Sequence, residues 1–374
     1  MTRRLTVLAA AALLALPAAA SAQTNDPYFG LQWGPQQVNA PQAWSTSTGS
    51  GATIAIVDSG VDLDHPDLAG KIAGGATFID CADQANGCGN GDWDSGGQAA
   101  GAPDPHGTHV AGIAAATTNN GTGIAGTAPD ARLLAVKVLG EEGGSFEDIA
   151  AGIRWSVRNG ADVVNLSLGA LPGVQALTYT GLISDVTDAI AEARAAGVVV
   201  VAAAGNDFAS PLCGTPAFED GALCVAATDR NELRAAYSNL TLKPDLQAVA
   251  APGGAAFLRC QDDIISTVPA GTESSCKSAG GAGYDFYAGT SMATPHVAGV
   301  AALLAAQGRD DDAIMDVLTS TARKPLGGPR GVYEPVYGYG IVDAAAAVAA
   351  PGATTTTTQP TKGGGKGGGK DRTR

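Results

Sequence analysis

Four short segments of the chain carry the residue types that acyl transfer requires. They are Ile56-Val57-Asp58-Ser59-Gly60, His106-Gly107-Thr108-His109-Val110-Ala111-Gly112, Ala204-Gly205-Asn206 and Gly289-Thr290-Ser291-Met292-Ala293-Thr294-Pro295. In chain order they supply a carboxylate, an imidazole, a side-chain amide and a hydroxyl. A serine hydroxyl is a weak nucleophile at its free pKa. It needs an imidazole to accept its proton and a carboxylate to hold that ring in the right tautomer. The oxyanion that develops needs a fixed donor, which an asparagine amide can be. Alone, each residue has an ordinary use: an aspartate ending a strand or an asparagine after glycine forms turns, and a serine before a helix caps it. Four together in the order Asp, His, Asn, Ser make a specific signal of nucleophilic catalysis.

The chain has 4 histidines. His65 stands in a turn before Pro66, and His296 is embedded in an apolar helical stretch, so both read as structural. His106 and His109 are three positions apart on one helical pattern, and chemistry alone does not choose between them.

The elements that must position these groups follow from the apolar pattern. Thr53 to Val57, Leu133 to Val138, Val163 to Leu168 and Val198 to Ala203 are short and rich in Val, Ile and Leu, as strands buried on both faces are. Gly107 to Thr117, Phe146 to Asn159 and Asp185 to Ala196 read as helices between them. The alternation predicts an α/β fold of three layers, a mostly parallel central sheet with helices on both faces. Ligands of such sheets sit at the carboxyl ends of the strands, where Asp58 and Asn206 fall. His106 and Ser291 open helices instead, with Pro295 expected in the first turn after Ser291, where proline is tolerated. Gly121-Thr122-Gly123-Ile124-Ala125-Gly126 fits the spacing of a dinucleotide-binding loop. It leaves a helix and feeds a strand, the reverse of the context a pyrophosphate needs, which argues against an oxidoreductase.

Arg3 and Arg4 precede an apolar run from Leu5 to Ala20 and a small-residue pattern, Ala20-Ser21-Ala22, so residues 1–22 read as a secretory signal peptide. The product is expected to be secreted, extracellular and not inserted in a membrane. In that setting the 6 cysteines read as disulfides. The simplest pairing is sequential, Cys81 with Cys88, Cys213 with Cys224 and Cys260 with Cys276, each bracketing a Gly-rich loop. The formal net charge of −14 includes the basic tail beyond Ala350, so the body is more acidic still and nucleic acid is not an expected partner. Residues 23–350 show no composition break and form one domain. The tail, 351–374, runs through threonines into a Gly-Lys repeat that cannot bury apolar surface and reads as disordered linker.

From Asp26 to about Ala350 the chain resembles the subtilisin-like serine proteases. Besides the four segments, Asn25-Asp26-Pro27-Tyr28-Phe29, His65-Pro66-Asp67-Leu68-Ala69-Gly70-Lys71, Thr118-Asn119-Asn120, Thr122-Gly123-Ile124-Ala125-Gly126-Thr127-Ala128-Pro129 and Thr294-Pro295-His296-Val297-Ala298-Gly299-Val300 carry the likeness. The resemblance implies a subtilisin-like fold and a monomeric serine endopeptidase of broad specificity acting on polypeptides. It selects His106 as the base, with Asp58 orienting it, Ser291 as nucleophile, and Asn206 with the Ser291 amide as oxyanion donors. It places an extended substrate beside Gly143-Gly144 and Ser167-Leu168-Gly169. Gly205, Asn206, Asp207 and Gly214 then suggest a roomy pocket for a large apolar residue, with Asp207 at the rim to admit Lys or Arg.

The resemblance also implies a structural calcium ion, Ca2+, held by Asp26, Asp67 and Asn120 with the carbonyls of Thr117, Thr122 and Ile124. Two departures stand out. The family's catalytic domain follows a propeptide of several dozen residues, whereas here the pattern begins at Asn25. The Cys81 to Cys88 insertion falls where the family holds a second calcium; Asp80, Asp83, Asp92 and Asp94 remain nearby without the ligand spacing. A peptide ligase on the same fold would share every motif named, and a silent binding module would normally lack a triad member.

Overall fold

The computed structural model describes residues 24–94, 104–141, 143–170, 173–174, 184–208, 210–256, 259–274, 276, 283–325 and 327–352. The expected signal peptide and nearly all of the expected tail lie outside them.

Seven strands form one sheet: β1 (Thr53–Asp58), β2 (Ile72–Thr77), β3 (Arg132–Lys137), β4 (Val163–Leu166), β5 (Val199–Ala203), β6 (Ala222–Thr228) and β7 (Ala248–Pro252). Their order is β2-β3-β1-β4-β5-β6-β7, and every pairing is parallel. A strand turns alternate side chains to opposite faces. Ile54 and Ile56 of β1 accordingly join one core, while Ala55 and Val57 join the other. Leu133 and Leu134, Val163 and Val164, and Val199 and Val200 divide the same way. Continuous apolar runs are therefore what this sheet demands.

The first core is closed by α3 (His106–Ala115) and α6 (Thr290–Ala305), with α1 (Trp33–Gln37), α2 (Ala40–Ala43), α7 (Asp311–Thr321) and α8 (Ala344–Ala349) around them. The second is closed by α4 (Phe146–Arg158) and α5 (Ser184–Ala195). Ser145 starts α4 through a capping box with Asp148. A separate antiparallel pair, β8 (Ile264–Thr267) and β9 (Tyr284–Tyr287), packs on α3.

The sequence reading had not singled out β2, β6, β7 or this pair. Among the described residues no helix is long and apolar enough to cross a membrane. The three disulfides join Cys81 to Cys88, Cys213 to Cys224 and Cys260 to Cys276, the sequential pairing.

Two helices lie inside the protein rather than on it. Every residue of α3 except His106 is buried, and every residue of α6 except Ser291 and Ala305. Small side chains make this possible. A Cβ on Gly107 would lie 2.2 Å from the Gly60 carbonyl oxygen, so α3 can meet the end of β1 only through glycine.

Candidate active site

Three neighbouring strands, β1, β4 and β5, end in Asp58, run on to Ser167, and run on to Asn206. Each of those residues holds the start of a buried helix. Asp58 has no solvent exposure, and its Oδ1 accepts from His106 Nδ1 at 2.7 Å and from the Ser59 N–H at 2.7 Å. The Ser59 hydroxyl accepts the Gly107 N–H at 3.0 Å, and Asp104 Oδ1 accepts the His106 N–H at 2.9 Å, fixing the first turn of α3 over the strand end. His106 is about a quarter exposed, with its Nδ1 edge tied to the aspartate. Burial lowers its pKa, but the Asp58 carboxylate, the hydrogen bond to it and the charge of Asp104 outweigh that effect, and the net shift is upward.

His109, three residues on, is fully buried and stacks on Tyr287 at 4.4 Å between ring centres. Its Nε2–H donates to the carbonyls of Ile264 at 3.0 Å and Asp285 at 3.1 Å, and burial pushes its pKa down to about 3. His65 and His296 are also buried. The first caps the Pro66–Leu68 turn by accepting from Asp67 N–H; the second donates from Nδ1 to Met292 O and is pushed down to about 4 by burial. Of the four rings only His106 reaches the surface beside a carboxylate.

Ser291 is the second residue of α6, the partly exposed position in an otherwise buried stretch. Pro295 lies in the second turn, not the first as expected, and has no N–H to give to the Ser291 carbonyl. That carbonyl instead accepts the Ser167 hydroxyl at 2.8 Å, and Ser167 is itself held by Asn165 Nδ2 at 2.9 Å. The proline thus frees an acceptor that pins the helix start to the end of β4.

Asn206 presents Oδ1 to Thr290, which donates its N–H and its hydroxyl, each at 3.0 Å. A methyl group placed on Gly289 would lie 3.5 Å from Asn206 Nδ2 and 3.6 Å from the Ser291 N–H nitrogen, so the two expected donors flank one spot. Thr290 has no counterpart in the sequence reading, although it adjoins Ser291. Neither the hydroxyl nor its spacing signals that its partner is 84 residues away.

A cleft of about 450 Å³ runs from His106 and Asp104 past Gly143 and Gly144 on one side and Ser167, Leu168 and Gly169 on the other. Leu139, Phe146, Ile149 and Val186 give it an apolar wall that no motif announced. Asp207 and Gly214, expected in a pocket wall, are not among its lining residues. Asp207 Oδ2 accepts Asn239 Nδ2 at 2.9 Å, and the Gly214 N–H donates to Ala204 O at 2.7 Å. The Asp207 carboxylate is thus held on Asn239 while its side chain stays partly exposed.

The residues expected to hold calcium do meet. Asn120 bridges both carboxylates, its N–H donating to Asp26 Oδ1 at 3.1 Å and its Nδ2 to Asp67 Oδ1 at 2.8 Å. Asp26 also accepts Asn119 N–H, and Asp67 accepts Ile124 N–H. Both carboxylates are buried, and each of these donors is a neutral amide. Burial raises the Asp67 pKa above the ordinary carboxylate range. Two buried carboxylates held by neutral amide N–H groups, with no cationic side chain on them in these bonds, leave negative charge that a hard divalent cation would fit. Thr117 and Thr122 lie on the same loops; among the described residues no group of three His, Cys, Asp or Glu assembles for a metal. In the stretch where the family holds a second calcium, the buried Lys137 ammonium donates to Trp93 O at 2.6 Å, and the charges of Asp94 and Asp92 act on it.

Residues 49–340 match the model of the Subtilase family. Thermitase of Thermoactinomyces vulgaris is 45% identical over 305 residues, 81% of this chain and 92% of thermitase. The extracellular protease of Xanthomonas campestris pv. campestris is 38% identical over 352 residues, covering 86% of this chain and 56% of that longer protein. Among solved structures, a protease of Pseudoalteromonas arctica superposes with a TM-score of 0.70 at 37% identity, over 88% of this chain and 99% of that one. The chain belongs to the subtilase family and is a serine endopeptidase.

Proposed function

We propose that the chain hydrolyses peptide bonds through an acyl-enzyme on Ser291. Ser291 Oγ attacks the scissile carbonyl, His106 accepts its proton and returns it to the leaving amine, and Asp58 holds the imidazole through Nδ1 and stabilises its charged form. Asn206 Nδ2 and the Ser291 N–H receive the oxyanion. The observation that carries this reading is the 2.7 Å contact between His106 Nδ1 and a fully buried Asp58, on the one histidine of the four that is open to the cleft. It leaves Nε2 as the ring nitrogen for the proton.

The substrate would lie extended between Gly143-Gly144 and Ser167-Leu168-Gly169. Main-chain pairing there gives affinity with little demand on side chains, hence broad specificity with a preference for apolar groups opposite Leu139, Phe146 and Ile149. Ca2+ would be held by Asp26, Asp67 and Asn120 with the carbonyls of Thr117, Thr122 and Ile124. When bound it supplies positive charge to two buried carboxylates and ties the arm at Asp26 to the body. Residues 1–22 would direct secretion. The test is digestion of a peptide library by the purified protein beside its Ser291→Ala variant. Cleavage by the first and not the second supports the reading, and product analysis separates hydrolysis from ligation.

A further inference from the structure

The segment that carries Asn206 is gripped from below by one fully buried residue, Asn239. Asn239 lies 33 positions further along, in the loop between β6 and β7, and touches the residues on both sides of Asn206. Its backbone N–H donates to Gly205 O at 3.0 Å. Its Oδ1 accepts the Asp207 N–H at 2.8 Å, and its Nδ2 donates to Asp207 Oδ2 at 2.9 Å. Gly205 has φ +104°, and a Cβ there would lie 2.5 Å from Asn239 Nδ2, so the amide packs directly under the turn. Asn239 is itself anchored, since its carbonyl accepts the Ser238 hydroxyl at 3.1 Å, and that hydroxyl accepts Ala227 N–H from β6.

We infer that Asn239 is a positioning residue for the oxyanion donor, setting where Asn206 Nδ2 points by fixing the backbone before and after it. The inference rests on the oxyanion reading of Asn206 and deepens it. Asn206 is exposed and follows a left-handed glycine, so its own backbone has nothing in solvent to hold it. Thr290 fixes the far end of the side chain. Asn239 fixes the near end, through the acceptor and the donor of one side-chain amide. An oxyanion donor works by being preorganised, and a displacement of 1 Å can cost about 100-fold in rate. Asn239 does not reach the reacting atoms, so its loss should appear in kcat and not in substrate binding.

The experiment is a cycle of Asn206→Ala, Asn239→Ala and the double variant, with kcat and KM on one peptide substrate and a thermal melt of each. Asn239→Ala should lower kcat by roughly 10- to 100-fold with KM within about twofold of wild type. The double variant should be no slower than Asn206→Ala alone, because a missing donor cannot be misplaced, while its melting temperature should still fall. A kcat loss that multiplies in full with that of Asn206→Ala, or a rise in KM at unchanged kcat, overturns the positioning role. Asn206→Ala at wild-type kcat overturns the oxyanion reading itself, and with it this inference. If Asn239→Ala does not fold, Asp207→Ala replaces it, removing the side-chain half of the grip at a partly exposed residue; the same kcat loss, absent in the Asn206→Ala background, is expected.

Discussion

Asn206 turns its carbonyl oxygen to Thr290, which supplies two donors to it at 3.0 Å each. The amide orientation is thereby determined, since an inverted amide would set Nδ2 against two N–H and O–H donors. Nδ2 is left to donate on the side where the Ser291 N–H lies. The proposed oxyanion site would in this sense be made by α6 folding back onto the end of β5.

Removing that donor should cost the chemical step and little else. Asn206→Ala is expected to lower kcat by about 10² to 10³, the range known for loss of such a donor from a subtilisin, with KM nearly unchanged. Ser291→Ala and His106→Ala should each remove nearly all peptidase activity. Steady-state kinetics on a chromogenic peptide checks all three, and a Ser291→Ala variant retaining more than about a tenth of kcat would falsify the nucleophile assignment.

The pH profile should show the charge around His106. The base works as neutral imidazole, so kcat/KM should rise with pH through the His106 pKa, which Asp58 and Asp104 hold above the ordinary value of about 6.5. Asp104→Asn removes one of the two charges while Asn keeps an acceptor for the His106 N–H. Its acid limb should move to lower pH, and a profile that moves upward or stays in place would contradict the electrostatic account.

His109 and His296 should make the fold acid-sensitive. Their folded pKa values, about 3 and about 4, lie below the unfolded value, so their contribution is full above about pH 6.5 and is lost as pH falls toward the folded values. The unfolded chain binds more protons in that window, and stability rises with pH at roughly 1 kcal/mol per pH unit for each ring. Melts of the Ser291→Ala protein between pH 4.5 and 7 should therefore be steep. His109→Gln should melt lower at pH 7 but with a flatter dependence, and an equally steep curve would rule the ring out.

Calcium should stabilise the same inactive variant. At about 100 times its Kd a bound ion adds roughly 2.7 kcal/mol. EDTA should lower the melting temperature and expose the arm at Asp26 to an added protease, and Asp67→Ala should abolish the response. A melt indifferent to EDTA would count against the site.

Much of this protein was written in local patterns. The apolar runs of β1, β3, β4 and β5 announced a sheet buried on both faces, because alternate side chains such as Ile54 and Ala55 must each find a core. The helix boundaries near His106, Phe146 and Asp185 and the four candidate catalytic segments were legible for the same reason: each depends on neighbours within a few positions; the cysteine pairs, 7, 11 and 16 positions apart, followed the simplest sequential order. Chemistry alone did not choose between His106 and His109, since both lie on one helix; the family resemblance selected His106, and the burial of every other residue of α3 agrees with that. Nor could a pattern show that Pro295 frees a carbonyl for Ser167, that Asp207 is held on Asn239, or that Thr290 orients an amide 84 residues earlier. Those depend on which strand ends lie side by side in the sheet. A hydrogen bond between distant residues leaves no periodicity in either segment, so only the folded arrangement of β1, β4 and β5 under α3 and α6 brings such partners together.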